Sequence, residues 1–379
     1  MGVARDKYGT RRTTMVSLLC VVGGSIGIGL SDPNGASELT VSLFLLGFGS
    51  GAQLCMQPVA GLFLRSGTVI STLSGAFQIS GLMFWVLTRV SDTRAYAFCG
   101  YAVLVSTLAF IAAFMLPFGP SFILPTEEKG ESEDEEMYVS ETAAASPKEP
   151  DRISRLHSYS ELLLQREYLA LVAWFSISTT PMQYYVGSIG FQLEEKGDND
   201  GYYTTLFPIL YASVSVLAPL GGYTADVLGL GIAQAIATSI VSSSMFMLAS
   251  DASLRLQSIG LGAYGIGRML TFGLFFCNVG KRFGYANYGL LSGVGLLLSA
   301  ILSLVQYPLI NIAADGKAKQ VNIACGAVLI STLPYCFWLY RRELESANAA
   351  PVLVGDDTST SAAEELGKKD TVDCQEQQR

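Results

Sequence analysis

The sequence contains almost no histidine. His157 is the only one in 379 residues, and it lies in a polar stretch. The seven cysteines are scattered: six lie singly inside apolar runs and Cys374 lies near the carboxyl end, so no pair has the spacing of a metal or redox motif. Zinc coordination and histidine-based acid–base chemistry therefore lack their usual residues. The sequence predicts no enzyme, no metal site and no cofactor.

Charged residues are also scarce, at 15 % of the chain, against roughly 25 % in an ordinary soluble domain. Hydrophobic residues make up 50 %, and there are 39 glycines. The net charge of -8 comes mainly from Glu127 to Glu141 and from the tail after Glu343, so it does not describe a substrate. No basic patch with interleaved aromatic residues suggests a nucleic-acid partner. The composition predicts an integral membrane protein whose main partner is the lipid bilayer.

Ten apolar runs are long enough to cross a bilayer, which takes about 20 mainly apolar residues. They lie at 13–31, 38–63, 67–88, 95–117, 167–190, 203–223, 229–249, 255–279, 286–310 and 320–340. The first run, with basic residues before it, also has the outline of a signal peptide, but the many apolar runs after it favour a membrane helix.

The fourth and fifth runs are separated by a long polar segment. Its acidic part cannot bury enough apolar surface to fold, which predicts a disordered linker at 124–165, and 153–165 favours a short helix on the membrane surface. The linker separates a first bundle at 1–123 from a six-helix bundle at 166–343. Residues 344–379 are predicted to be a second disordered segment.

The basic residues predict the orientation, because cytosolic connectors carry an excess of lysine and arginine. If the first turn is cytosolic, that side holds fourteen of these residues and the other side holds six. The first turn, the linker and the tail would then all face the cytosol.

Two glycine–acid–glycine turns repeat at a distance of 220 residues. The first runs from Gly2 through Asp6 to Gly9, and the second from Gly222 through Asp226 to Gly229. The string Arg65-Ser-Gly is likewise matched by Arg282-Phe-Gly at an offset of 217. A nearly constant offset indicates an internal repeat, and two homologous halves joined by a disordered linker are typical of a transporter.

The first turn resembles the signature turn between helices two and three of the major facilitator superfamily, and Gly222 to Gly229 resembles its degenerate copy between helices eight and nine. The resemblance implies an all-α membrane protein with two bundles, in which the ten runs are helices three to twelve and the first two helices are missing. The strings Leu46 to Gln53, Arg65 to Leu73 and Leu304 to Leu309 are similar to the facilitative large neutral amino acid transporters of the solute carrier class and their protist relatives. This narrower resemblance implies transport of neutral or cationic amino acids at the plasma membrane; the sequence assigns no oligomeric state.

Arg268 is the only lysine or arginine in the central part of an apolar run. A charge there costs roughly 3 kcal/mol or more unless it finds a partner or a wet cavity. We expect its guanidinium to hold the carboxylate of an amino acid in a bidentate pair. The alternative is a structural bond to backbone carbonyls or to a helix end.

Other polar residues in the apolar runs are further candidates for substrate contact. They lie on shared helical faces or beside the break at Pro181, where backbone groups become free: Gln53, Gln78, Gln183, Tyr184 and Asn278. The alternative for the glutamines is hydrogen bonding between helices, worth on the order of 1 kcal/mol each.

No Asp or Glu lies in the middle of any of the ten runs. Proton-driven carriers usually place a titratable group at that depth, so the sequence favours facilitated diffusion. A carrier of sugar, nitrate or drugs on the same fold, or a non-transporting membrane receptor or scaffold, remains an alternative because fold does not fix function.

The resemblance also implies a set of latch residues at the cytosolic side. Asp6 is expected to cap the start of helix eleven beside Arg282, and Asp226 to meet helix five beside Arg65, because negative charge favours a helix amino end. Both contacts would stabilise the state closed to the cytosol. The complete set is Gly2, Asp6, Lys7, Gly9, Arg11, Arg65, Gly222, Asp226, Gly229 and Arg282.

Overall fold

The computed structural model describes residues 1–32, 35–90, 93–116 and 159–349, and every regular element in these ranges is helical. The helices of the first half are α1 Gly2–Tyr8, α2 Thr10–Leu30, α3 Ala36–Gly49, α4 Ala52–Met56, α5 Ser66–Val90 and α6 Arg94–Met115. Those of the second half are α7 Arg166–Glu195, α8 Tyr202–Ser213, α9 Ala218–Val227, α10 Leu230–Ala249, α11 Leu254–Phe283, α12 Tyr288–Leu302, α13 Gln306–Ile312, α14 Ala318–Ile330 and α15 Leu333–Ala349. The predicted disordered segments lie mostly outside the described residues, and the predicted surface helix is described only from residue 159, where 159–163 are helical.

Seven helical segments of the described chain are long and apolar enough to cross a membrane. One of them, Tyr288–Glu345, holds two crossings, because the chain turns at Gly316, where φ is +82°. Helices α5 and α7 add two more by length, since 25 and 30 residues reach about 37 and 45 Å at 1.5 Å per residue. The ten predicted apolar runs thus correspond to ten helical crossings.

Several crossings are divided by a short break near a proline. The second passes from α3 through the turn at Ser50 into α4 and a 3₁₀ turn that contains Pro58. The sixth and ninth change to 3₁₀ turns shortly before Pro219 and Pro308. Proline has no N–H to donate, so one helical hydrogen bond is lost at each proline.

The two halves meet along α5 and at α1. Helices α3 and α6 both pack on α2, whereas α5 packs against α8, α9 and α11 of the second half and α1 packs against α12. The buried apolar core of the second half continues across this contact to Ala60 and Ile70, and it includes the stacked pair Phe175 and Phe275, with ring centroids 4.0 Å apart. Helices α5 and α1 of the first half therefore both contact the second half.

The two glycine turns have the same backbone conformation. Gly9 follows α1 with φ +86° and ψ 163°, and Gly229 follows α9 with φ +88° and ψ 163°. Residues with a side chain rarely adopt a positive φ of this kind. The match supports the internal repeat that the sequence predicts.

Candidate functional site

A cavity of about 380 Å³ lies between the two halves, beside the break between α3 and α4. The first half lines it with Ser50, Gly51, Gln53, Leu54, Ser74, Phe77 and Gln78, and the second half with Gln183, Tyr211, Arg268, Met269, Phe272, Phe276 and Leu296. Most of the wall is apolar, and its polar groups are few and placed on both sides. This is the usual character of a small-molecule site.

Arg268 presents its guanidinium to this cavity from α11. One of its terminal nitrogens donates to the Tyr264 hydroxyl at 3.0 Å and to the Gln183 side-chain oxygen at 3.4 Å. The guanidinium also lies 5.8 Å from the Tyr211 ring centroid and 5.3 Å from that of Phe272. All four partners are neutral, and Arg268 forms no ion pair with any residue that the structure describes.

Tyr264 connects Arg268 to the middle of α7. This helix is continuous from Arg166 to Glu195 with Pro181 inside it, so the predicted break at Pro181 is wrong. Its buried hydroxyl donates to the Met182 carbonyl at 2.6 Å and accepts from Arg268. Its ring stacks on Tyr185 with centroids 4.0 Å apart. Met182 directly follows Pro181, so this hydrogen bond fixes the position of Arg268 relative to the proline-containing part of α7.

The wall opposite Arg268 carries uncharged polar groups. Gln78 is buried, and its side-chain oxygen has no hydrogen-bond partner in the described part of the chain. Gln53 lines the cavity beside it, while Gln57, one turn away, accepts from Tyr288 at 2.8 Å and donates to Ser74 at 3.4 Å. Within the described ranges no Asp, Glu or His lines the cavity.

Two helix ends at the basic end of the bundle, where Arg5, Lys281 and Arg282 lie, are capped by carboxylates from the opposite half. Asp6 accepts the backbone N–H groups of Gly289 at 3.1 Å and Leu290 at 2.7 Å, at the start of α12. Burial raises the pKa of the Asp6 carboxyl above its ordinary value, and the Leu290 and Arg5 hydrogen bonds oppose this rise.

The second cap is made by Asp226. It accepts from the Thr68 backbone N–H at 2.9 Å and the Thr68 hydroxyl at 2.8 Å, at the start of α5, and it pairs with Lys281 at 2.7 Å. Both carboxylates thus lie at the helix starts where the resemblance places them, and a carboxylate there is favoured by the helix dipole.

Glycines let the backbones cross closely beside each cap. A Cβ on Gly2 would lie 1.9 Å from the carbonyl oxygen of Gly289, and a Cβ on Gly222 would lie 2.3 Å from that of Gly67. Real Cβ atoms do not approach backbone this closely, so each crossing needs glycine. The sequence predicts Gly2 and Gly222 as latch residues but not their partners Gly67 and Gly289.

Three solved structures share this architecture. The chain aligns with the E. coli fucose:proton symporter FucP at 12 % identity and TM-score 0.55, covering 88 % of this chain and 86 % of that one. It aligns with the human organic anion transporter MFSD10 at 15 % identity and TM-score 0.59, covering 89 % of this chain and 79 % of that one. It also aligns with the proton:xylose symporter XylE at 12 % identity and TM-score 0.59, covering 89 % of this chain and 82 % of that one. The chain has the major facilitator fold. No protein-family model matches the chain, and no curated protein matches it in sequence.

In this major facilitator fold, four of the six predicted substrate residues line one cavity: Gln53, Gln78, Gln183 and Arg268. The other two lie elsewhere. Tyr184 is fully buried, and its hydroxyl bonds to Asn322 at 3.0 Å and Gln192 at 3.1 Å. It follows Gln183 by one residue, about 100° around the helix, so it faces α14 and not the cavity.

Asn278 is likewise fully buried, does not line the cavity, and has no hydrogen-bond partner among the described residues. It lies more than two turns beyond Arg268 along α11. Its predicted contact with substrate does not agree with this placement, and nothing in the structure explains the unpartnered amide.

Neither of the arginines predicted beside the caps, Arg282 and Arg65, pairs with the capping carboxylate in the part of the chain that the structure describes. Arg282 pairs with Glu167 at 2.5 Å and not with Asp6, whose arginine partner is Arg5 at 3.1 Å. Arg65 stacks on Tyr223, 5.3 Å from the ring centroid, and the cation on Asp226 is Lys281. Of the remaining predicted latch cations, Lys7 is exposed and Arg11 is half-buried.

The sequence does not single out Arg5, although it is the most buried cation of the described chain, with 1 % exposure. It donates to Thr10 at 3.3 Å and to the Tyr285 carbonyl at 3.1 Å. Glu343 is a second residue of this kind: it caps the start of α10 by accepting from Leu230 at 2.8 Å and Gly231 at 3.1 Å. In the sequence only the positions of Arg5 and Glu343, close to a glycine turn or a helix end, could have indicated these roles.

Proposed function

We propose that the protein is a secondary transporter that moves a small carboxylate-bearing solute, a neutral amino acid, by alternating access. The observation that carries the proposal is the guanidinium of Arg268, which lines a cavity between the halves without an ion-pair partner in the described residues. A charge at this depth needs a partner or water. A substrate carboxylate is the partner that the planar fork of arginine binds best.

The opposite wall supports an amino acid and not a simple acid. The unpartnered oxygen of Gln78, together with Gln53 and Ser74, offers acceptors for an ammonium group. With no carboxylate lining the described cavity, a basic side chain would lack a counter-charge, which favours neutral over cationic amino acids. Leu54 and Phe77 provide an apolar surface for the substrate side chain.

A substrate held in this way bridges the two halves. Its carboxylate would be on the second half, at Arg268, and its ammonium on the first half, at Gln78. Binding then favours the states in which the halves close around it, which is how a ligand shifts a conformational equilibrium. Because no titratable acid lines the described cavity, we propose facilitated diffusion without proton coupling.

The test is uptake by the full chain in proteoliposomes. Radiolabelled leucine should enter down its gradient, and an imposed proton gradient should not raise its accumulation. Leucinamide, which lacks the carboxylate, should fail to compete, whereas 4-methylpentanoate, which lacks the ammonium group, should compete weakly. Gln78→Leu should weaken leucine binding about tenfold, the value of one charge-assisted hydrogen bond, and leave competition by 4-methylpentanoate unchanged.

Equal competition by leucinamide and leucine would show that the cavity does not bind the substrate carboxylate. Sugar flux, or accumulation driven by protons, would replace the proposal with another carrier activity. Binding without flux would indicate a receptor.

Tyr264→Phe is expected to raise the apparent KM for leucine about tenfold with little change in maximal rate. The variant keeps the stacked ring but loses the hydroxyl that orients Arg268 and binds the Met182 carbonyl. The measurement is concentration-dependent uptake, with Tyr307→Phe, a change at a 61 % exposed residue, as the control. An unchanged KM would show that Arg268 does not depend on Tyr264 for its orientation.

A further inference from the structure

A second cavity opens at the basic end of the bundle, between the ends of α7, α11 and α15. Its volume is about 740 Å³, and none of its lining residues belongs to the cavity that holds Arg268. Three arginines from three helices surround it: Arg166, Arg282 and Arg342. We call this cavity, with these three residues, the arginine vestibule.

The arginine vestibule has an excess of positive charge. Glu167 is the one acidic residue in its lining, and its two carboxylate oxygens pair with Arg282 at 2.5 Å and with Arg342. Glu343 lies on the neighbouring rim, where its oxygens accept the N–H groups that start α10. Three guanidinium groups therefore face a single carboxylate whose oxygens are already engaged.

The guanidinium groups are held in place by more than this carboxylate. Arg282 lies 5.7 Å from the Phe283 ring centroid and 6.0 Å from that of Trp338, and Arg342 lies 5.5 Å from Trp338. One terminal nitrogen of Arg282 is buried and has no hydrogen-bond partner among the described residues. Arginines fixed by stacking lose less side-chain entropy when they bind an anion, and their forked donors match phosphate geometry.

We propose that the arginine vestibule binds a phosphate-bearing anion. The volume leaves room for a molecule larger than a single phosphate group. The ligand is either the headgroup of an anionic lipid or a soluble organic phosphate. The excess of lysine and arginine predicts that this end faces the cytosol, where basic pockets between membrane helices bind such headgroups. The bound anion ties together the ends of α7, α11 and α15.

The experiment measures binding by the purified full chain in neutral detergent. Pyrophosphate and a soluble inositol phosphate are titrated while the thermal midpoint and the tryptophan fluorescence are followed, since Trp338 lies on the vestibule wall. We expect a saturable rise in the midpoint, and a dissociation constant at least tenfold weaker in Arg342→Gln. Arg166→Gln, a change at an exposed position without a described ion pair, should weaken binding similarly and keeps the test valid if Arg342→Gln fails to fold.

The matched control is Arg341→Gln. Arg341 is next to Arg342 in sequence but stacks on Phe337, 4.6 Å from the ring centroid, and does not line the vestibule. Its replacement should change the dissociation constant less than twofold. Equal losses in Arg341→Gln and Arg342→Gln, or equal stabilisation by potassium chloride at matched ionic strength, would overturn the proposal.

The source of the phosphate is resolved by a second arm in nanodiscs of phosphatidylcholine with or without a phosphoinositide. If the phosphoinositide raises the thermal midpoint in wild type but not in Arg342→Gln, the ligand is a lipid headgroup. If only the soluble phosphates do so, the ligand is a cytosolic metabolite. Absence of an effect in both arms contradicts the site, whatever the outcome of the transport assays.

Discussion

Arg268→Gln should reduce leucine uptake at least a hundredfold while leaving the protein folded. The substitution removes the fork that we assign to the substrate carboxylate. Two hydrogen bonds to a charged group contribute about 3–5 kcal/mol together, and each 1.4 kcal/mol is a factor of about ten in affinity. The buried guanidinium itself costs free energy in the folded state, so its removal should leave the thermal midpoint unchanged or raise it.

The comparison of Arg268→Gln with Arg268→Lys separates charge from geometry. Lysine keeps the charge but offers no planar fork, so leucine uptake by Arg268→Lys should fall between that of wild type and that of Arg268→Gln. Arg255→Gln is the control, because Arg255 lies exposed at the start of the same helix, and it should stay within about twofold of wild type. Normal transport by Arg268→Lys would end the substrate-clamp hypothesis.

The second large effect is expected for Gly222→Ala. The new Cβ would lie 2.3 Å from the Gly67 carbonyl oxygen and 2.5 Å from the Thr68 Cα, and neither backbone atom can rotate away. Helices α9 and α5 must then separate, which also breaks the hydrogen bonds of Asp226 to Thr68. We expect the state that is closed at the basic end to become less populated and net uptake to fall about tenfold. This corresponds to a change of roughly 1.4 kcal/mol in the free energy between the states.

The rate at which Cys277 is chemically labelled measures this separation directly. Cys277 is fully buried at the same crossing, with its sulfur 3.3 Å from the Gly67 carbonyl oxygen. A soluble maleimide should label it at least tenfold faster in Gly222→Ala than in wild type, with the labelled residue identified by mass spectrometry. Gly293→Ala is the control, since a Cβ there meets nothing within 4 Å. If labelling and uptake both stay at the wild-type level in Gly222→Ala, the latch assignment is wrong.

Hydropathy and spacing predict a large part of this architecture. Ten crossings follow from the apolar runs, because a bilayer demands a minimum helix length. The placement of Asp6 and Asp226 at two helix starts is implied by the resemblance of the repeated turn to a known signature, and the glycine that ends each turn has a positive φ. Arg268 stands out because one charge in an apolar run must be explained by its surroundings.

Side-chain direction is much harder to predict. Gln183 and Tyr184 are neighbours in the middle of α7, yet one lines the cavity and the other bonds to Asn322. The rotation of α7 against its neighbours decides between them, and that rotation depends on packing with distant segments. The same holds for Arg282, whose partner Glu167 is 115 residues away and belongs to another helix of its own half.

The paired glycine crossings have a consequence for how the proposed carrier is tuned. If both crossings, Gly2–Gly289 and Gly222–Gly67, act as the predicted latch, their free energies add in one equilibrium and their effects on its constant multiply. Two weak contacts then shift this equilibrium as far as one strong contact, but a substitution can change either contact alone. The ratio of the two facing states, and with it the affinity seen from either side of the membrane, can change in evolution without any change in the residues that select the solute.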